Sequence, residues 1–176
     1  MARYQAGDFA AARALIDRLS PQLHRFFELQ SLNAADADDL LQDAWLRIHR
    51  VRHTWQHGKP LLPWIYAIVR RVRIDHYRKS MRITVREQRL EDIAETASVA
   101  EAPHADALEE LLAPLPESQR EVLEMLKVAG MSLEEVAQAT SCSVGSVKQK
   151  VHRAYEKLRQ TMSLGELKKG ETGVLS

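Results

Sequence analysis

Apolar residues in the last third of the chain repeat at helical spacing, and this repeat limits the possible folds more than any other feature. Successive members are three or four positions apart, which places their side chains on one face of a single α-helix. The series is Val144, Val147, Val151, Ala154 and Leu158. Similar stripes cover residues 9–27, 36–50 and 63–82, whereas hairpin turns and sustained polar–apolar alternation are missing. We therefore predict an all-α fold.

The segment before this stripe indicates a helix-turn-helix. Ser132 and Glu135 have the spacing of a capping box, in which each side chain bonds to the backbone of the other residue. The short helix that they begin ends near Ser141, and Ser143 can cap the longer helix that follows. In such motifs the second helix enters the major groove of DNA. An ordinary helical hairpin with a solvated outer face is the alternative.

Charge is segregated along the chain although the net charge is only +1. Residues 44–89 hold 12 basic and two acidic side chains, and residues 91–126 hold one basic and ten acidic. Basic blocks attract polyanions such as nucleic acid, because each neutralised phosphate releases counterions. For a single basic block, the alternative explanation is a charged face that is exposed to solvent.

The first half of the chain predicts three helices and one loop. The first helix follows Asp8 as its N-cap, with Phe9, Ile16 and later apolar residues facing inward. The second helix covers 36–50, and a loop follows over 52–62. In the third helix Pro63 suits the first position and Trp64 is predicted to join the core.

Several classes of protein and site are excluded at this stage. A single cysteine, Cys142, excludes a disulfide framework and is read as a small buried residue. The spacing of His49, His53 and His57 would suit a metal only on a continuous helix, and Gly58 indicates that the helix has ended. No membrane-spanning segment, signal peptide, phosphate loop or catalytic constellation is present. We expect a soluble cytoplasmic protein without enzyme activity, cofactor, metal or membrane insertion.

Two blocks of the sequence resemble a known family. The block LPESQREVLEMLKVAGMSLEEVAQATSCSVGSVKQKVHRAYEKLR resembles region 4 of the extracytoplasmic-function sigma factors of bacterial RNA polymerase. Region 2 of the same proteins resembles DADDLLQDAWLRIHR followed by PWIYAIVRRVRIDHYRK. The resemblance implies two small helical domains. Their expected limits are region 2 over 1–85, a flexible acidic linker over 86–112, region 4 over 113–162, and a tail over 163–176.

The resemblance also implies a role for each exposed face, with core RNA polymerase, promoter DNA and a frequently membrane-anchored anti-sigma factor as partners. Core polymerase would bind Asp39, Leu41, Gln42 and Asp43. The promoter element nearest the start site (−10) would be recognised and opened by Trp55, His57, Arg70, Arg71, Arg73, Arg78 and Lys79. The upstream element (−35) would be bound by Ser146, Lys148, Gln149, His152 and Arg153. Family members often have Asn at the position of Arg71, so the base preference there is open.

Three functions follow from these patterns. The first is an alternative sigma factor that binds core polymerase and directs promoter-specific transcription initiation. The second is a conventional helix-turn-helix regulator whose N-terminal half dimerises or senses a signal. The third is an interaction protein that sequesters a regulator. Without its resemblance to region 2, helix 36–50 would be interpreted as a solvated amphipathic helix with an Asp43–Arg47 ion pair.

Overall fold

Every regular element in the described part of the chain is helical, and no strand occurs there. The computed structural model describes residues 1–30, 36–90 and 107–171, and their side chains outside 83–90 and 163–171. The helices are α1 (Ala2–Gln5), α2 (Phe9–Gln30), α3 (Asp36–Val51), α4 (Leu61–Leu90), α5 (Ala107–Leu112), α6 (Glu117–Lys127), α7 (Leu133–Thr140) and α8 (Val144–Glu171). A 3₁₀ turn, Arg52–Thr54, follows α3. The all-α prediction is confirmed.

The chain divides into two compact units, residues 1–103 and 104–176. Helices α4 and α8 extend past the limits expected from the sequence, to Leu90 and Glu171, and α5 forms within the expected linker. Between Ser80 and Leu90 no Gly or Pro interrupts α4, so nothing local stops the helix from propagating. Helix α5 forms where Leu112 becomes buried. Residues 91–106, most of the expected linker, lie outside the described residues.

The core of the first unit is built where α2, α3 and α4 pack on one another. Its aromatic centre is an edge-to-face pair formed by Phe26 and Tyr66, whose ring centroids are 5.4 Å apart. The other fully or almost fully buried side chains of this core are Leu23, Phe27, Leu29, Ala37, Leu40, Ala44, Ile48, Ile65 and Val69. The apolar face predicted for helix 36–50 is thus the face that packs.

The first half of α2 departs from the predicted inward stripe. Asp8 caps the helix as predicted, because its Oδ1 accepts a hydrogen bond from the Ala11 amide at 3.0 Å. Phe9, however, is 89% exposed and Ile16 is 38% exposed. Full burial in α2 begins only at Leu19, whereas Phe9 and Ile16 line an open groove with Trp45 of α3. A helical stripe indicates a potential contact face, but only a neighbouring helix decides how much of it is buried.

The start of α4 differs slightly from the sequence-based expectation. The helix begins at Leu61, so Pro63 occupies its first turn but not its first position. Trp64 is half-buried, and its indole Nε1 donates a hydrogen bond to Thr54 Oγ1 at 3.1 Å. Trp64 therefore ties the first turn of α4 to the preceding loop instead of joining the core.

The second unit contains the predicted helix-turn-helix. Ser132 Oγ accepts from the Glu135 amide at 3.1 Å, and Glu135 Oε2 accepts from the Ser132 amide at 2.8 Å, which completes the capping box. Ser143 Oγ accepts from the Ser146 amide at 3.1 Å at the start of α8. Val147, Ala154 and Leu158 of the predicted stripe are buried, while Val144 and Val151 are half-buried.

Candidate functional site

Helix α3 presents a polar face to solvent opposite its buried side. Asp39, Gln42 and Asp43 are exposed, whereas Leu41 is half-buried. Leu46 lies one turn further along the same face and is 49% exposed. The sequence prediction missed Leu46, although its position three residues after Asp43 could have indicated it. An exposed leucine among acidic and amide groups suits a protein partner that has basic and apolar side chains.

Arg47 joins α3 to α4 instead of pairing with Asp43. Its Nη1 donates to Asp75 Oδ2 at 2.8 Å, and both side chains are partly exposed. This hydrogen bond holds the pKa of Asp75 below its ordinary value, with further lowering from the charges of Arg47, Arg71 and Arg78. Asp43 therefore stays exposed on the polar face of α3.

The segment between α3 and α4, here called the Trp55 loop (residues 52–60), carries the two predicted ring side chains. The rings of Trp55 and His57 lie 6.0 Å apart between centroids, with Trp55 half-buried and His57 exposed. The Trp55 indole Nε1 is buried and has no hydrogen-bond partner among the described residues. Gly58 has a positive φ of 80°, a conformation that other residues rarely adopt.

The basic residues predicted on α4 do not share one surface. Arg71, Arg78 and Lys79 are exposed and Arg70 is half-buried. Arg73 is only 6% exposed, so the structure does not bring it to this surface. Its burial follows from its place beside Val72 and Val69 on the packed side of α4. The exposed members can contact phosphates of a nucleic acid strand.

Helix α8 brings its predicted residues together. Lys148, Gln149, His152 and Arg153 are exposed on the side opposite Val147 and Ala154, and Ser146 is half-buried near the start of the helix. His152 Nε2 lies 3.3 Å from Glu156 Oε1. The face thus combines cations that suit phosphates with an amide that suits an adenine edge.

Other sequence-based expectations concern Cys142, metals and membranes. Cys142 is half-buried, and its Sγ lies 3.8 Å from Lys150 Nζ. In the described ranges, no group of three His, Cys, Asp or Glu side chains could hold a metal ion. No described helix combines the length and the apolar composition that a bilayer crossing requires.

Comparison with family models matches both units of the chain. Residues 15–83 match the model of "Sigma-70 region 2", and residues 105–158 match that of "Sigma-70, region 4". Each match contains the exposed faces described above for its unit.

Similar proteins include the ECF RNA polymerase sigma factor SigF of Caulobacter vibrioides, at 32% identity over 92% of this chain and 91% of that protein. The RNA polymerase sigma factor CarQ of Myxococcus xanthus is 32% identical over 95% of this chain and 97% of its own length. Among solved structures, sigma factor RpoE in complex with the anti-sigma factor NepR from Bartonella quintana has a TM-score of 0.68 and 25% identity, covering 86% of this chain and 96% of that one. CnrH in complex with the cytosolic domain of CnrY shares the fold, with a TM-score of 0.69, 21% identity and coverage of 93% and 94%.

Proposed function

The chain belongs to the extracytoplasmic-function sigma factors of the sigma-70 family, and from this premise we propose how its two units share the work of transcription initiation. It is an alternative sigma factor that binds core RNA polymerase and directs promoter-specific initiation. The observation that carries this function is the presence of both regions, in order, in one chain.

Proteins of this family are DNA-binding initiation factors. The present chain, in our proposal, has no catalytic activity and acts in the cytoplasm, where the polymerase works. The proposed domain limits are region 2 over 1–85 and region 4 over 113–162, with a linker over 86–112 and a tail over 163–176. The region 2 match, residues 15–83, supports the first limit, whereas the region 4 match, residues 105–158, begins eight residues inside the proposed linker.

The exposed face of α3 is the proposed polymerase-binding surface. Asp39, Gln42 and Asp43 would pair with basic and polar groups of the clamp coiled coil in the polymerase's largest subunit. Leu46, exposed beside them, would supply the apolar contact that a purely charged surface lacks. The half-buried Leu41 contributes at the edge of this surface.

The Trp55 loop and the following helix are the proposed site of promoter opening. Trp55 and His57 offer rings on which an unpaired base can stack, worth about 1–3 kcal/mol per base. Arg71, Arg78 and Lys79 are exposed on α4 and would hold the phosphates of the single strand, with Arg70 in a partly buried position. The buried Arg73 is left out of this proposal because strand contact needs an accessible side chain.

The exposed face of α8 is the proposed binding surface for the upstream promoter element. Lys148 and Arg153 would contact phosphates, and Gln149 would contact a base edge. Ser146 and His152 complete this face and would help to position α8 on the sugar–phosphate backbone of the DNA. Duplex opening downstream then draws on the binding free energy that both units contribute.

An anti-sigma factor is a further proposed partner. The similar RpoE structure holds the anti-sigma factor NepR, which supports regulation of the present chain by a protein of that kind. A regulator that covers the exposed face of α3 would compete with the polymerase for the same residues. Sequestration of this kind would keep the chain inactive until a signal releases it.

Co-purification with bacterial core RNA polymerase tests the function directly. We compare the wild-type chain with Asp39→Arg, Asp43→Arg and the control Asp17→Arg, which reverses an exposed acidic residue on α2. Each α3 reversal should weaken polymerase binding about tenfold, because it places like charges opposite each other. The Asp17 control should bind like the wild type.

The result that would overturn the sigma function is failure of the wild-type chain to bind polymerase when no anti-sigma factor is present. Equal binding by all four proteins would instead contradict the proposed role of the α3 face alone. Circular dichroism and thermal melting of each variant separate loss of contact from loss of fold.

A further inference from the structure

The Trp55 loop is held by a segment outside the residues that match sigma region 2. This N-terminal segment, residues 1–7, precedes the matched range of 15–83. It folds as α1 and turns at Gly7, where φ is 89°. Arg3 pairs with Asp8 across the turn at 2.6 Å.

Tyr4 attaches the segment to the end of α3. Its ring is buried, and burial raises the pKa of its hydroxyl, an effect partly offset by the charge of Arg52. The protonated hydroxyl lies 2.7 Å from His49 Nδ1 and can donate to it. The Arg52 guanidinium lies over the Tyr4 ring, 5.9 Å from its centroid. These contacts bring the neighbouring residue Gln5 against the loop.

Gln5 then bonds to the backbone of the loop at two places. Its Nε2 donates to the carbonyl oxygen of Arg52 at 2.7 Å and to that of Trp55 at 2.8 Å. A side-chain amide nitrogen carries two hydrogens, so both donors are used on the loop. The two carbonyls bracket the 3₁₀ turn that leads to Trp55, and one side chain therefore sets the spacing between them.

Other restraints on the loop hold Thr54, whose Oγ1 donates to Val51 O at 2.8 Å and accepts from the Trp64 indole at 3.1 Å. The backbone bonds of the loop include Trp55 N to Arg52 O at 3.3 Å and Lys59 N to Gln56 O at 3.1 Å, both longer than the bonds from Gln5. The indole N–H of Trp55 is buried without a partner among the described residues, which favours rearrangement of the ring toward solvent or another acceptor. The Gln5 bonds hold the backbone of Trp55 in place during any such movement, because they fix its carbonyl.

We propose that Gln5 is a positioning residue for promoter opening, which holds the Trp55 loop ready to receive an unpaired base. This inference rests on the proposed role of the loop in promoter opening. Preorganisation improves binding because the loop does not lose conformational freedom when the base arrives. Gln5 acts through the loop and needs no contact with DNA.

The test uses the full chain bound to core polymerase, with Gln5→Met compared with Gln22→Met. Methionine keeps an unbranched, uncharged side chain of similar length and removes the donors. Gln22 is a matched control because its Nε2 donates to Tyr66 Oη at 3.1 Å, a residue of α4 in the same unit and not of the loop. The DNA probes are a duplex promoter selected from a random pool by the wild-type holoenzyme, and the single non-template strand of its −10 element.

Gln5→Met should bind the single strand about tenfold more weakly and open the duplex about tenfold more slowly, because two hydrogen bonds that order the loop are lost. Its polymerase affinity and thermal stability should match those of Gln22→Met. Equal strand binding and opening by the two variants would overturn the inference.

A double-mutant cycle with Trp55→Ala shows whether Gln5 acts through the loop. If it does, Gln5→Met should add little to the defect of Trp55→Ala, since the ring that it positions is already absent. If the defect of the double variant equals the product of the two single-variant defects, the positioning role of Gln5 is overturned.

Hydrogen exchange separates failure of this inference from failure of the proposed function. In the free chain, Gln5→Met should speed exchange of the Trp55 and Lys59 amides, and Gln22→Met should not. A wild-type holoenzyme that selects no promoter would overturn the function of the loop. Unchanged loop exchange in Gln5→Met would overturn the role of Gln5 itself.

Discussion

Ser141 ends α7 in the left-handed conformation, with φ of 54° and ψ of 39°. It is the single non-glycine residue with positive φ in the described ranges. The amide of the next residue, Cys142, reaches back to the Ala137 carbonyl at 3.0 Å, so this geometry closes the end of the helix. A side chain in this conformation is strained by contact between Cβ and the backbone.

Replacing Ser141 with glycine should therefore stabilise the second unit. We expect Ser141→Gly to raise the free energy of unfolding by about 0.5–1 kcal/mol, after allowing for the greater freedom of glycine in the unfolded chain. Ser141→Val should lower it, because a β-branched side chain tolerates positive φ least. Denaturant unfolding followed by circular dichroism measures both changes, and a less stable glycine variant would contradict the argument.

The Arg47–Asp75 pair should make the stability of the first unit depend on pH. The pKa of Asp75 is lowered in the folded chain from its ordinary value of 3.8, so the stabilisation is present above that value and is lost as pH falls through the folded pKa. Because both side chains are 43% exposed, solvent screening limits the effect to below about 1 kcal/mol.

Asp75→Asn should be less stable than the wild type near neutral pH and equally stable at about pH 2, where the wild-type carboxyl is also protonated. Unfolding by urea across this pH range measures the difference. In an Arg47→Met background the Asp75→Asn effect should shrink, and an undiminished effect would show that the pair is not its source.

At the scale of elements, each exposed face depends on a buried stripe on the same helix. Helix α8 buries Val147 and Ala154 and thereby turns Lys148 and Arg153 outward. The predicted exposed face is present on this helix because one helical period sets both its buried and its exposed side. The same logic failed in the first half of α2, where Phe9 and Ile16 line an open groove beside α3 and are not buried in the core.

Lys148→Ala combined with Arg153→Ala should abolish use of the upstream promoter element while polymerase binding persists. If each cation contacts one phosphate, the slope of log K against log salt concentration should become shallower by about 2. Lys157→Ala combined with Arg159→Ala, further along the same helix, is the matched control. Loss of polymerase binding in the folded Lys148/Arg153 variant would refute the proposed division of roles.

At the scale of the whole molecule, the two proposed DNA surfaces belong to separate compact units. Trp55→Ala should slow promoter opening, and the Lys148→Ala/Arg153→Ala pair should weaken the initial binding of promoter DNA. Because the two sites lie in separate units and are proposed to contact different promoter elements, their effects on the rate of initiation should multiply in the combined variant. Abortive-initiation kinetics separate binding from opening. If the combined variant initiates as fast as the Trp55→Ala variant alone, the two surfaces act in the same step of initiation.

The comparisons also decide between the functions that the sequence left open. A helix-turn-helix alone fits a conventional regulator, and the regulator hypothesis assigned dimerisation or sensing to the N-terminal half. Residues 15–83 match sigma region 2 instead. The resemblance of two blocks in order therefore carried more functional information than the chemistry of either helix.

The sequence by itself determined the all-α class, the capping box and the inward stripe of α8, because these features depend on residues within a few positions of one another, but it did not predict the short helices α1 and α5. Only the tertiary structure decided that Arg73 is buried, that Arg47 pairs with Asp75, and that Gln5 bonds to the Trp55 loop. The partners of these hydrogen bonds are 28, 47 and 50 positions apart in sequence. A local sequence period does not encode such contacts, because they depend on which helices pack together and on how far each is shifted along its axis relative to its neighbour.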